Sequence, residues 1–179
     1  VFWLGEATNM LIWAIAGMGL MVLVGQTGLA SLGVAAFLAV GCYANVLYQQ
    51  KLGLPFILSF PLGGLTAALA GVLVAIPTAR LHGLYLAIAT LAISILVDDL
   101  IVLSAPLTNG VQGLYAPPIS IFGLTIDRYG NPYLFYWVVL VVAVLVVLLY
   151  RNILRTPLGR AFAAVRDSEV SAKAMGVNV

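Results

Sequence analysis

Few side chains in this chain are of types that do chemistry, and their spacing excludes more than it suggests. Neither lysine, Lys51 or Lys173, follows a glycine. A phosphate-holding G-x-x-x-x-G-K-[ST] loop needs that order, because its backbone N–H groups cradle the phosphates while the lysine reaches their outer oxygens. Any nucleotide hydrolysis is therefore expected on other subunits. Ser94 and His82 could be considered as a nucleophile and base, yet no G-x-S-x-G turn presents the serine. His82 stands two residues from Arg80 at the edge of an apolar run, the position of a solvated interfacial histidine. Cys42 is the one cysteine, so no intrachain disulfide is available and it reads as a buried thiol in an apolar run. No grouping of Cys, His and carboxylate has metal-ligand spacing. Asp98-Asp99 is open to two readings, an exposed interfacial pair or part of a solute or gating path, because carboxylates within a membrane are costly and face protein or water. What remains is a charged close: Arg155 to Val179 holds four of the eight cationic residues and two of the six acidic ones.

The elements that position these residues are membrane spans. Hydrophobic residues make up 63% of the chain and charged ones 8%, with a mean hydropathy of +1.13. A soluble domain has about 45–50% apolar and about 25% charged residues, so this is an integral membrane protein. The net charge of +2 is too small and dispersed to imply nucleic acid. Five apolar stretches, approximately Ala7–Val24, Gly28–Tyr48, Leu54–Ile76, Leu84–Leu103 and Tyr133–Tyr150, each approach the roughly 20 residues that cross about 30 Å of hydrocarbon. The breaks fall at Gly25-Gln26-Thr27, Gln49-Gln50-Lys51, Pro77 to Gly83, and the longer Ser104 to Pro132. The expected fold is all-α and polytopic, with about five transmembrane helices and a single transmembrane domain over 1–179. An odd number of spans puts the two ends on opposite sides. With the final segment in the cytoplasm, Arg80, Arg151, Arg155, Arg160, Arg166 and Lys173 lie inside and Lys51 and Arg128 outside, as the positive-inside bias requires. The first apolar run follows Glu6 rather than a basic region, so the chain reads as an internal fragment without a signal peptide.

Two stretches have further character. "GQTGLASLGVAAFLAVGCY" carries Gly25, Gly28, Gly33 and Gly41 with Ser31, a composition that suggests tight helix contacts or a broken helix. Small residues four apart recur at Ser31/Ala35/Ala39, Gly64/Ala68 and Ala67/Gly71, a spacing that lets helix backbones approach closely. By contrast "YWVVLVVAVLVVLLY" is apolar all round with aromatics at both ends, like a lipid-facing anchor. In the closing stretch Thr156-Pro157 starts a helix and Gly176 stops it. Leu158, Phe162, Val165, Ala172 and Met175 form a stripe, with Arg160, Arg166, Asp167 and Lys173 mostly off it. This is one amphipathic helix, or two short ones broken near Asp167-Ser168-Glu169. It could lie on anionic lipid. Its mixed charges and small apolar side favour docking against a protein surface.

Together, "GQTGLASLGVAAFLAVGCYAN", "RLHGLYLAIATLAIS", "LTNGVQGL" and "RTPLGRAFAAVRDSEVSAKAMGVN" resemble the permease subunits of branched-chain amino acid ABC importers, of the LivM-like kind. The likeness covers about Gly25 to Asn178, with the motifs in order and at matching spacing. It implies a permease domain with a cytoplasmic coupling loop over 151–176, whose short helix sits in a cleft of an ATP-binding subunit. Carried over residue by residue, Gly159, Arg160, Arg166, Glu169, Ala172 and Gly176 match the coupling pattern. Glu169 departs from the general form by lying one residue early, with Val170 at the usual acidic place. Gln26, Gly28, Ser31 and Gly33 fall in the helix-packing and translocation motif, and Thr108, Asn109, Gly110 and Gly113 in the outer loop. Where family members often carry a Glu and an Arg, this chain has Ile95 and Asp98. The resemblance implies no cofactor on this chain, ATP and Mg being held by two ATP-binding subunits. It also implies a second, LivH-like permease subunit, an extracytoplasmic solute-binding protein, membrane lipid around the spans, and a bacterial or archaeal inner membrane. The competing expectation is a membrane scaffold or embedded enzyme with a lipid-binding basic tail.

Overall fold

The computed structural model describes residues 2–26, 28, 31–78, 81, 83–121, 124–126, 130–168 and 172. Arg80, His82, Arg128, Glu169, Lys173, Met175 and Gly176 lie outside the described residues. The elements are α1 (Phe2–Leu20), continued by a π-helical turn (Met21–Gln26), then α2 (Val34–Leu52), α3 (Phe56–Thr78), α4 (Leu84–Leu103), the single turn α5 (Ala105–Thr108), β1 (Ile119–Ile121), β2 (Leu124–Ile126), α6 (Pro132–Arg155) and α7 (Pro157–Asp167). Among the described residues, α1 with its π turn, α3, α4 and α6 are long and apolar enough to cross a membrane. The fifth expected stretch is α2, of 19 residues, whose last two turns carry Asn45, Gln49, Gln50 and Lys51. Among the described residues the fold is all-α apart from one antiparallel strand pair, in which Ile119 pairs with Ile126 and Ile121 with Leu124.

Packing separates two compact units, residues 1–30 with 127–179, and residues 31–126. In the second, α2 lies against α3 and α4. The contact is made by backbone as much as by side chain. A Cβ built on Gly63 would come 2.9 Å from the Gly41 carbonyl oxygen and 3.0 Å from the Asn45 Cβ; one built on Gly41 would come 3.3 Å from the Ala67 Cβ. Small residues thus set the separation of α2 and α3, as spans without a hydrophobic driving force between them require. Ala67 and Gly71 share this face; a Cβ built on Gly71 would lie 3.9 Å from the Phe37 ring. The Gly64/Ala68 pair does not: both are exposed, and nothing lies within 4 Å of a Cβ on Gly64. Likewise Ala36, rather than Ala35 or Ala39, is the buried alanine of α2. Cys42 is exposed rather than buried. It sits one residue, about 100° of helix, round from Gly41, and so leaves the face that α3 covers.

In the first unit α1 packs along α6, and α7 packs on α6 and on the π turn. Ala143 is the buried residue of α6. Leu134, Trp137, Val141, Val144, Leu145, Leu148 and Leu149 are exposed around it, the surface of a lipid-facing helix. Tyr136 and Trp137 meet edge to face at its start and Tyr150 stands near its end, as aromatic residues do at membrane interfaces. Hydroxyls inside the spans return to their own helices. Thr8 donates to Leu4 O, Thr66 to Gly63 O and Thr78 to Val74 O, each at 2.8 Å. In hydrocarbon no water could take those hydrogens, so the helix backbone must.

Candidate coupling segment and helix-break site

Among the described residues between the π turn and α2, Gly28 and Ser31 to Gly33 continue neither helix. Gly28 has φ +71, a left-handed conformation that a side chain disfavours, and its N–H donates to Val24 O at 3.1 Å. Ser31, Leu32 and Gly33 precede α2 without helical structure. The Ser31 Oγ accepts the Gly33 N–H at 3.3 Å, and the Thr90 Oγ1 accepts the Leu32 N–H at 3.0 Å while donating to Ala87 O. A Cβ on Gly33 would sit 3.3 Å from Thr90 O. Gly33 therefore starts α2 flush against α4, with both turn N–H groups satisfied. The second stretch of the sequence is accordingly a broken helix that begins at Val34 rather than at Gly28. Of the four residues expected in this motif, Gly33 lies against Thr90 and Ser31 is tied to Gly33 by its hydroxyl. Gln26 closes the π turn and Gly28 belongs with α7. Thr90, which receives the break, lies within the "RLHGLYLAIATLAIS" stretch that carries the family resemblance, but nothing local in the sequence pairs it with Leu32 and Gly33.

The start of α7 is fixed by covalent geometry. Thr156 caps it and Pro157 takes its first position, where the missing N–H leaves no bond unmade. The Thr156 hydroxyl does not cap in the usual sense; it donates backward to Ile153 O at 2.6 Å, and its carbonyl accepts the Gly159 N–H. The chain turns so sharply here that a Cβ on Gly159 would come 2.6 Å from the Leu154 Cα and O and 2.7 Å from Ile153 O. These are backbone atoms that cannot rotate away, so only glycine fits. Along α7, Ala161, Phe162, Ala164 and Val165 are partly buried, while Arg160, Ala163, Arg166 and Asp167 are exposed. The helix ends at Asp167, at the break expected near Asp167-Ser168-Glu169. Beyond it Ala172 donates to Ser168 O at 2.9 Å and is fully buried within the chain. Its methyl is thus already covered, and the face open to a partner is that of Arg160, Ala163 and Asp167. Arg166 has a second contact: its Nη1 donates to Gly25 O at 2.7 Å, and a Cβ on Gly28 would come 3.2 Å from its Cγ.

The four residues of the 104–132 segment form one knot. The Thr108 Oγ1 lies 2.5 Å from Ile101 O and 2.9 Å from Ser104 O, and accepts the Gly110 N–H. Asn109 adopts φ 62 and its Nδ2 donates to Gly113 O at 3.2 Å. Gly110 and Gly113 also have positive φ. Thr108 is buried, and these polar groups are committed to their own turn. The side chains that this knot leaves in the open are Val111 and Tyr115, 88% and 93% exposed, with the Tyr115 carbonyl held by the Gln50 side chain at 2.6 Å. Neither was singled out by the sequence, which marks turn residues more plainly than the apolar ones they display. Asp98 and Asp99 are both exposed. Asp98 and Ser94 on α4 line a cavity of about 280 Å³ opposite Ala35, Ala36 and Ala39 on α2.

Comparison with known proteins adds a family to this geometry. The family model for the branched-chain amino acid transport system permease component matches residues 4–179, and so covers both units. High-affinity branched-chain amino acid transport system permease proteins LivM from Salmonella typhimurium (strain LT2) and Escherichia coli (strain K12) are each 35% identical over 96% of the chain. A probable branched-chain amino acid transport permease protein LivM from Methanocaldococcus jannaschii is 32% identical over 69% of it. The chain spans 45% of the length of the first two and 35% of the third. No solved structure matches the chain at a significant level.

Proposed function

The chain belongs to the branched-chain amino acid transport permease family, and from that premise we propose that it builds part of the translocation path of an ABC importer for branched-chain amino acids. The observation that carries the reading is the family match across nearly the whole chain, both units included. The two units together act as one permease domain in a bacterial or archaeal inner membrane. ATP and Mg are bound, and ATP hydrolysed, by two partner subunits, as the family resemblance implies; within these 179 residues neither lysine stands in a phosphate-binding loop. A second, LivH-like permease subunit completes the path, and an extracytoplasmic solute-binding protein delivers the amino acid.

In this reading the basic end of α6 and the whole of α7 lie in the cytoplasm, following the charge bias of the loops. The 151–176 segment is the coupling loop. Gly159 sets the angle at which α7 leaves the membrane, and Arg160 and its exposed neighbours meet the ATP-binding subunit. Glu169 and Gly176 belong to the same loop. The 104–132 segment receives the solute-binding protein, with Thr108, Asn109, Gly110 and Gly113 holding the shape that displays Val111 and Tyr115. Gly33, seated on Thr90 and held by the Ser31 hydroxyl, keeps the α2 break closed up against α4 beside the path.

The test is uptake of labelled leucine by proteoliposomes holding the full-length permease with its partners, competed by isoleucine, valine and small amides. ATP-dependent uptake and co-purification of an ATP-binding subunit support the reading. Retention of vesicle binding through the basic segment, with neither partner nor uptake, would establish the scaffold alternative instead.

A further inference from the structure

We propose that Arg166 is the positioning residue through which movement of α7 reaches the inner end of the first span, an inference that rests on the coupling reading above. Three features meet at this residue. Its guanidinium donates to the carbonyl oxygen of Gly25 at 2.7 Å. Gly25 lies in the π turn Met21–Gln26 that closes α1, at a helix C-terminus, where the negative end of the helix dipole favours a cation. The arginine's stem, meanwhile, passes Gly28 so closely that a Cβ there would stand 3.2 Å from its Cγ and 3.8 Å from its Cβ. Gly28 is thus small for two reasons, its φ of +71 and the passage of this side chain.

The opposite end of α7 is held differently. Gly159 joins it to α6 through a turn with no room for a methyl, so α7 cannot slide there and can only pivot. The helix is 11 residues long, about 16 Å at 1.5 Å per residue, and the Arg166 end lies near its far tip. A push on the exposed Arg160, Ala163 and Asp167 face therefore moves Arg166 most, and with it the π turn. That turn is an element with a second arrangement within reach, because a π turn is a local widening that returns to α spacing when one residue is drawn out. Arginine suits the task through its reach and its fixed fork of donors; a lysine supplies a single shorter point charge.

The test uses the full-length permease with its ATP-binding and solute-binding partners in proteoliposomes, with Cys42→Ser as background. Single cysteines replace Val24, exposed on the π turn, or Ala163, exposed on α7, and the labelling rate of each is compared with and without vanadate-trapped nucleotide. Both probes should respond in the parent. With Arg166→Ala the Ala163 probe should still respond, while the response at Val24 falls at least about fivefold, the lower bound of a typical coupling. Arg166→Lys should give an intermediate loss, and leucine moved per ATP should fall in the same order. Gly28→Ala, which displaces the stem and keeps the charge, should reproduce the loss at Val24 and serves if Arg166→Ala does not assemble. An undiminished Val24 response in either variant overturns the proposal. If neither probe responds in the parent, α7 is not a coupling element, and the reading beneath the proposal fails with it.

Discussion

Gly63→Ala and Gly64→Ala differ by one position on α3 and should differ in sign of effect. At Gly63 the new methyl would stand 2.9 Å from the Gly41 carbonyl oxygen, 3.0 Å from the Asn45 Cβ and 3.3 Å from the Asn45 nitrogen; at Gly64 it would meet nothing within 4 Å. Non-bonded carbon contacts are comfortable at about 3.5–4.0 Å, so α2 and α3 must part by roughly 0.5–1 Å to admit it. A gap of that size forfeits about a quarter to a half of the dispersion attraction of each atom pair along the seam. Overpacking of this kind costs about 1–3 kcal/mol. Both substitutions also remove a glycine from a helix interior, which favours folding by about 0.5–1 kcal/mol, but that gain is common and cancels between them. Gly63→Ala should therefore be less stable than Gly64→Ala by about 1–3 kcal/mol, with Gly64→Ala at or above the parent. Reversible unfolding of the purified permease by SDS in mixed micelles, followed by loss of helical circular dichroism, measures the difference. Equal stabilities, or a more stable Gly63→Ala, would refute the close approach of α2 and α3 on which the second unit depends.

Gly33→Leu should weaken assembly by about 1–3 kcal/mol or more, since its side chain would enter the space held by Thr90, whose carbonyl oxygen stands 3.3 Å from the Cβ position; normal assembly and uptake would place the residue toward lipid instead. Gly159→Ala should leave the spans inserted but open the α6–α7 turn, lowering solute-stimulated ATP hydrolysis while the permease still inserts; full stimulation would show that the turn angle does not matter to coupling. Impermeant thiol reagents added from outside should label a cysteine at Asn131 and miss one at Ser168 in intact cells, and the reverse pattern would invert the proposed orientation.

The spans were legible because lipid allows few solutions: backbone groups must be satisfied within the segment, so a long apolar run is a helix. That logic located α1, α3, α4 and α6 to within a few residues. It placed the start of α2 six residues early, because the stretch from Gly28 is as apolar as a span and only backbone conformation, at Gly28 and at Ser31 to Gly33 among the described residues, interrupts it. The choice of packing face was less legible. Gly63 and Gly64 are adjacent glycines in one apolar helix, and only the position of α2 tells which of them is covered. The polar site was read by residue type but not by contact. Gly159, Arg166 and Gly28 were each singled out, yet the join of Arg166 to Gly25 and Gly28 spans 141 residues in sequence, and no local pattern encodes it. Val111 and Tyr115 carry no local signal for a related reason, since an exposed valine and tyrosine in a loop are unremarkable until their display is seen; Thr90 falls within a quoted family stretch, but its bond to Leu32 is not legible there.

The concentration of charge at the end of the chain follows from the same constraints. Inside the membrane, hydroxyls are spent on their own helix carbonyls and backbones are brought together by glycine and alanine, so a cation there would have neither water nor partner. At the end of α1, by contrast, the Gly25 carbonyl accepts the Arg166 guanidinium outside any helix ladder, while the neighbouring Arg160 and Asp167 remain exposed. An arginine is thus used where a helix ends, and glycine where two backbones must pass. Gly159 and Gly28 mark the two ends of α7 for this reason: the first admits the turn, the second admits the arginine. In the proposed coupling α7 pivots on its rigid turn at Gly159, while its packing on the π turn and the Arg166 hydrogen bond keep the far end attached to α1.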